Sequence, residues 1–161
     1  MRSALIMNNT TTQNLLNSAG DKCKGNGTKL TAKRKLVLQQ LIESDQLLSA
    51  YDIAARIKNN TDSHMPAMSV YRILDFLESV NLAHKLESQN KYLACRHIAC
   101  QHSHESPQFL ICQNCLKVKE VDISKSIIDE IAEVADNDDF KLINPTLEIK
   151  GICQDCQTKP N

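Results

Sequence analysis

The chain has little aromatic bulk, no formal net charge and no long apolar run. It holds no tryptophan, three phenylalanines and three tyrosines in 161 residues, so any small unit cut from it starts with a modest core. No stretch of about 18 apolar residues is present, which removes a bilayer-spanning helix. Arg2 followed by Ala4-Leu5-Ile6-Met7 is too short for the apolar region of a secretory signal, and Asn8 to Thr12 is polar. A cytoplasmic protein is expected. In that compartment seven cysteines, an odd number, read as metal ligands before disulfides.

The zero net charge taken alone argues against a nucleic-acid partner, but it averages two unlike halves. Residues 1–95 carry 12 Lys and Arg against 8 Asp and Glu, net +4; residues 96–161 carry 7 against 11, net −4. Phosphate affinity follows local positive charge and the counterions it displaces, so the first half can bind DNA while the second does not.

What the chain has in quantity is metal-ligand chemistry between His84 and Glu120. Cys95, His97, Cys100, His102, His104, Cys112 and Cys115 fall in this stretch, and a second Cys-x-x-Cys follows at Cys153 and Cys156. Each such pair places two thiolates from one tight turn at adjacent corners of a tetrahedron. Two pairs close a four-thiolate zinc site with no open position, which is structural and not catalytic. A nucleobase deaminase would need His-x-Glu and Pro-Cys-x-x-Cys; here the order is His102-Ser103-His104-Glu105, and Ile111 precedes Cys112. Redox chemistry of the thioredoxin kind would use one exposed pair, not two. No enzyme is expected.

In chain order, the Thr10–Thr12 cluster offers caps for a first helix that Gly25-Asn26-Gly27 ends. Thr31 caps a second, with Val37, Leu38, Leu41 and Ile42 as its apolar stripe and Lys33, Arg34 and Lys35 in its first turn. Positive charge there opposes the helix dipole, as it would beside a phosphate backbone or at an ordinary solvated end. Ser49 caps a third helix, and a fourth runs from Ala67 to Ser79 after Pro66. Leu82 to Glu87 and Lys91 to Cys95 then read as a β-hairpin. Three helices and a hairpin in this order make a winged helix-turn-helix, in which the last helix enters the major groove. Arg72 is the candidate for a bidentate contact to guanine, with an i,i+3 ion pair to Asp75 as the plain alternative. Beyond it, Phe109–Ile111, Val118–Ile123 and Leu147–Ile152 read as strands and Ser124–Ala135 as an amphipathic helix: a small α/β unit stabilised by its metal.

Several of these motifs together resemble the ferric uptake regulator superfamily. They are the basic helix, Ser-Ala-Tyr51-Asp, Ser69-Val-Tyr71-Arg72-Ile-Leu-Asp-Phe-Leu, Ala-His84-Lys-Leu-Glu-Ser and the two Cys-x-x-Cys pairs. The likeness runs from about Thr10 to Cys156 and points to the zinc-responsive branch. It implies an α+β chain: a winged-helix DNA-binding domain over 11–95 behind a lead at 1–10, a metal-binding connection at 96–107, and an α/β dimerisation domain over 108–161. It further implies two zinc ions per monomer. Cys112, Cys115, Cys153 and Cys156 correspond to the structural site; His84, Cys95, His104 and Glu120 correspond to the regulatory one, with His102 or His97 as substitutes for His104. Lys33, Arg34, Tyr51, Ser69, Tyr71 and Arg72 correspond to the DNA-binding residues. The implied function is a homodimeric repressor that binds operator DNA when zinc-loaded and controls zinc-uptake genes. An iron or peroxide sensor of the same superfamily is the alternative. Cys95 disfavours it, because a thiolate suits borderline-soft zinc, and the His-His-x-His run of the ferric relatives is absent. A zinc-stabilised interaction module is a weaker rival.

Overall fold

The computed structural model describes residues 9–44, 46–99, 107–143 and 146–158. The chain divides into two compact units, Met1–Gln101 and His102–Asn161. Among the described residues no helix is long and apolar enough to cross a membrane.

The first unit contains α1 (Asn9–Gly25), α2 (Ala32–Ile42), α3 (Ala50–Asn60), α4 (Ala67–Ser79) and a hairpin of β1 (Ala83–Leu86) with β2 (Lys91–Ala94). The helix ends follow from local chemistry. Gly27 adopts φ +67°, a conformation that only glycine takes without strain, and lets Thr28 N–H donate to Cys23 O at 2.8 Å to stop α1. Thr31 Oγ1 accepts from Arg34 N–H at the start of α2. Ser49 and Asp52 form a reciprocal capping box on α3, with Ser49 N–H donating to Asp52 at 2.8 Å and Asp52 N–H donating to Ser49 at 3.1 Å. Asn81, at φ +54°, closes α4: its N–H donates to Glu78 O and Leu82 N–H donates to Leu77 O. Lys22 Nζ then donates to Asn81 O, fastening α1 to this turn.

One expectation needs correction, and another gains a contact. The first helix starts at Asn9, one residue before the Thr10–Thr12 cluster, so these threonines lie inside α1 and not at its cap, and Thr12 is buried. The wing is also more than a hairpin. Leu48 and Tyr92 exchange N–H to carbonyl bonds of 3.0 and 2.8 Å, so the residue before the N-cap of α3 pairs with β2. This bridge ties the entry of α3 to the wing. The core beneath is continuous, running from Leu16 and Ala19 through Val37, Leu38, Ile53, Ile57, Leu74 and Leu77 to Leu82 and Tyr92.

The second unit contains β3 (Gln108–Cys112), β4 (Val118–Val121), α5 (Lys125–Asn137), β5 (Glu148–Gly151) and the single turn α6 (Gln154–Gln157). Its sheet has the order β4-β3-β5, antiparallel between β3 and β4 and parallel between β3 and β5. Phe109 and Ile111 point to the buried face, whereas Leu110 and Ile149 are paired on the exposed one. The helix α5 has no fully buried side chain, though Ile128 and Ile131 are half-buried. Its Ile127 and Val134 stand 46% and 65% exposed.

Candidate metal centre and nucleic-acid interface

The first Cys-x-x-Cys is the turn between β3 and β4. Cys112 ends β3 and is buried, and its N–H donates to Lys117 O at 2.9 Å; the chain reverses through Leu116, which sits at φ +58°. A leucine in the left-handed region costs about 1–3 kcal/mol and persists only where its surroundings hold it. The second pair begins α6, where Cys156 N–H donates to Cys153 O. The parallel pairing of β5 with β3 is what delivers it: Gln113 N–H donates to Gly151 O, and Cys153 N–H donates to Cys112 Sγ at 3.3 Å.

The four cysteines thereby converge, each offering a sulfur within 4.8 Å of the others. Cys115 and Cys153 lie 3.7 Å apart. A tetrahedron with zinc–sulfur bonds of about 2.3 Å has edges of about 3.8 Å, so the spacing fits that ion. The electrostatics are unbalanced without a cation. N–H groups of Cys153 and Cys115 aimed at Cys112 bring its thiol down to about 6. Cys156 is held up at about 12, because its S–H donates to the sulfurs of Cys153 and Cys115, which favours the protonated form, and the Cys112 thiolate opposes a second negative charge. A divalent cation held by Cys112, Cys115, Cys153 and Cys156 would offset that repulsion and let all four ionise.

In the first unit, His84 lies on β1 opposite Leu93, and Cys95 follows β2, its N–H donating to Leu82 O at 3.0 Å. Both are buried, and their ligand atoms lie within 4.8 Å of each other. In the second unit Glu120 is buried on β4, opposite Phe109. His97 is half-buried, with its N–H donating to Cys95 Sγ at 3.4 Å. His102, His104 and Cys100 lie outside the described residues. Cys23 is fully buried in the first core, and desolvation pushes its thiol up, as befits a packed apolar side chain and not a ligand.

On the face expected to meet DNA, Lys33 is exposed in the first turn of α2 and Arg72 is exposed on α4. No ion pair joins Arg72 to Asp75 among the described residues. Ser69 is half-buried. Tyr51 and Tyr71 meet edge-on with centroids 6.2 Å apart, linking the starts of α3 and α4. Arg34 differs from its neighbours. Its guanidinium stacks 3.4 Å from the Phe76 ring centroid and donates to Lys29 O at 2.7 Å, so it braces α2 against α4. Nothing in the sequence signals this role, because the contact joins residues 42 positions apart.

Residues 25–150 match the ferric uptake regulator family, and the chain belongs to it. It is 35% identical over 150 residues to the zinc uptake regulation protein of Escherichia coli strain K12, covering 93% of this chain and 85% of that protein. A ferric uptake regulation protein of Staphylococcus epidermidis is 31% identical over 150 residues, covering 90% and 98%. Among solved structures, a zinc uptake regulator complexed with zinc and DNA is similar with a TM-score of 0.81 at 31% identity, covering 91% of this chain and 95% of that one.

Proposed function

We propose that the chain is a zinc-responsive transcriptional repressor that works in the cytoplasm as a homodimer on operator DNA. The observation that carries the choice of metal is the wing itself, where β1 and β2 bring a buried imidazole and a buried thiol, His84 and Cys95, within reach of one ion. A thiolate in the sensing set favours zinc over iron(II), which is better served by nitrogen and oxygen donors. Glu120 and one histidine, His104 by family resemblance, with His102 or His97 as the other candidates, complete a four-ligand set.

Two zinc ions per monomer follow, one held by Cys112, Cys115, Cys153 and Cys156 and one by the sensing set. The sensing ion would supply a cross-link between the DNA-binding domain, 11–95, and the dimerisation domain, 108–161, through the connection at 96–107. The coupling to DNA equals the difference in zinc affinity between the DNA-competent and incompetent arrangements. Dimerisation is supported by α5 and the Leu110–Ile149 sheet face, whose exposed apolar side chains need a cover. Lys33 neutralises phosphate, Tyr51, Ser69, Tyr71 and Arg72 approach the bases, and Arg34 holds the frame that presents them.

The test is zinc content per monomer before and after mild chelation, with binding to a palindromic operator followed in the same samples. Loss of one zinc together with DNA binding, while the second zinc and the dimer survive, is the expected result. A single zinc throughout, or DNA binding indifferent to its removal, would refute the sensor. Activation by iron(II) in preference to zinc would move the protein to the iron-sensing branch.

A further inference from the structure

The first unit hides its apolar side chains thoroughly. Among its described residues only two large ones are exposed, Tyr51 at 69% and Met68 at 66%. Both stand in the first turn of a helix, α3 and α4 respectively. Met68 precedes Tyr71 by three positions and Arg72 by four, so all three share one surface of α4. Tyr71 in turn touches Tyr51 edge-on. The two exceptions to burial therefore belong to a single patch, and that patch includes the exposed Arg72.

An exposed methionine contributes nothing to the core beneath it, and its long thioether is the most adaptable apolar side chain available. The partner of this patch must tolerate positive charge: no acidic residue lies in the first turn of α4, and the unit's exposed Lys33 and Arg72 belong to its basic half. In a major groove every base edge offers hydrogen-bonding atoms, and thymine alone adds an apolar group, its C5-methyl. Arg72 supplies a hydrogen-bonding fork and Met68 an apolar probe one helical turn earlier. We propose that Met68 is a specificity-determining residue that packs on the C5-methyl of a thymine near the base read by Arg72. The assignment rests on the reading of this unit as an operator-binding domain.

The experiment uses the zinc-loaded full chain. The wild type first selects its preferred duplex from a random pool, and each thymine of that duplex is then replaced singly by deoxyuracil, which removes only the methyl. At one thymine in each half-site the wild type should lose about fourfold in affinity, the equivalent of about 0.8 kcal/mol for one desolvated methyl. Met68→Ala should be weaker on the thymine duplex and indifferent to deoxyuracil at that same position, while keeping wild-type zinc content and circular dichroism; Met68→Leu should restore part of the discrimination. Identical deoxyuracil penalties in wild type and Met68→Ala would overturn the role of Met68 and leave the operator-binding reading intact. Failure of the zinc-loaded wild type to select any sequence would overturn that reading, and this proposal with it.

Discussion

Replacing Cys115 by serine should unfold the second unit and leave the first standing. Cys115 is the suitable position because it is exposed, so the substitution removes a ligand without removing packing; Cys112 is buried and would confound the two. The magnitude follows from how little else holds the unit. Among its described residues the fully buried apolar side chains are Phe109, Ile111 and Cys112, and α5 adds only half-buried ones such as Ile128 and Ile131. A large apolar side chain contributes about 1.5–3 kcal/mol on full burial, so these fall short of the roughly 10–16 kcal/mol of apparent binding that a structural zinc supplies. The assay is amide hydrogen exchange on the reduced protein. In the variant, the amides of Phe109 and Gln113, which donate to Leu147 and Gly151, should exchange at nearly unfolded rates. Amides within α2, α3 and α4 should keep their protection, because the first core does not draw on the metal. Protection of Phe109 and Gln113 within about tenfold of wild type, or about 1.4 kcal/mol, would show that the unit folds on its own packing and refute the reasoning.

Further outcomes are expected for five other substitutions. Arg72→Ala should reduce discrimination at one base pair by about 1–3 kcal/mol in competition binding, with little change on random DNA. Lys33→Ala should weaken binding to all sequences and lower the slope of log affinity against log salt by about one, whereas Arg34→Ala should act on stability, by about 0.5–2 kcal/mol in thermal unfolding, through loss of its stack on Phe76. Val134→Asp, read by sedimentation, should raise the dimer dissociation constant by roughly 100-fold, since twofold symmetry counts the lost apolar burial of about 1.5 kcal/mol twice. The capping box on α3 gives a pH dependence: hydrogen bonds from Ser49 hold the Asp52 carboxyl below its ordinary value of 3.8, so its contribution is complete above that pH and is lost as pH falls through the depressed folded value. Ser49→Ala should cost about 1 kcal/mol at pH 7 and somewhat less in acid, where only the Oγ–H donation to the Asp52 carboxylate is already gone while the cap bond from Asp52 N–H is still lost, measured by urea unfolding at the two pH values.

Much of this architecture was legible in the sequence because its boundaries are set by short-range chemistry. Pro66 and the apolar spacing of Val70, Leu74 and Leu77 place α4 at the expected residues, and Thr31 and Ser49 cap the helices that they were expected to cap. The thiolate cluster was equally readable, since each Cys-x-x-Cys is local. What escaped is non-local. Leu48 pairs through a single residue, too short for any alternation to reveal, and the parallel docking of β5 on β3 is chosen by residues 39 positions away.

The two basic neighbours Lys33 and Arg34 show where sequence alone must stop. Both stand in the first turn of one helix, and their charge made them equal candidates for phosphate. In the structure their surroundings differ, because Lys33 is exposed whereas Arg34 is half-buried with its guanidinium on Phe76. Met68 makes the complementary case: its residue type alone says nothing of a role, and its exposure on the surface of α4 that carries Arg72 is what singles it out. In both instances the residue type carries the chemistry, while the face of the helix it occupies decides whether that chemistry serves the fold or the ligand.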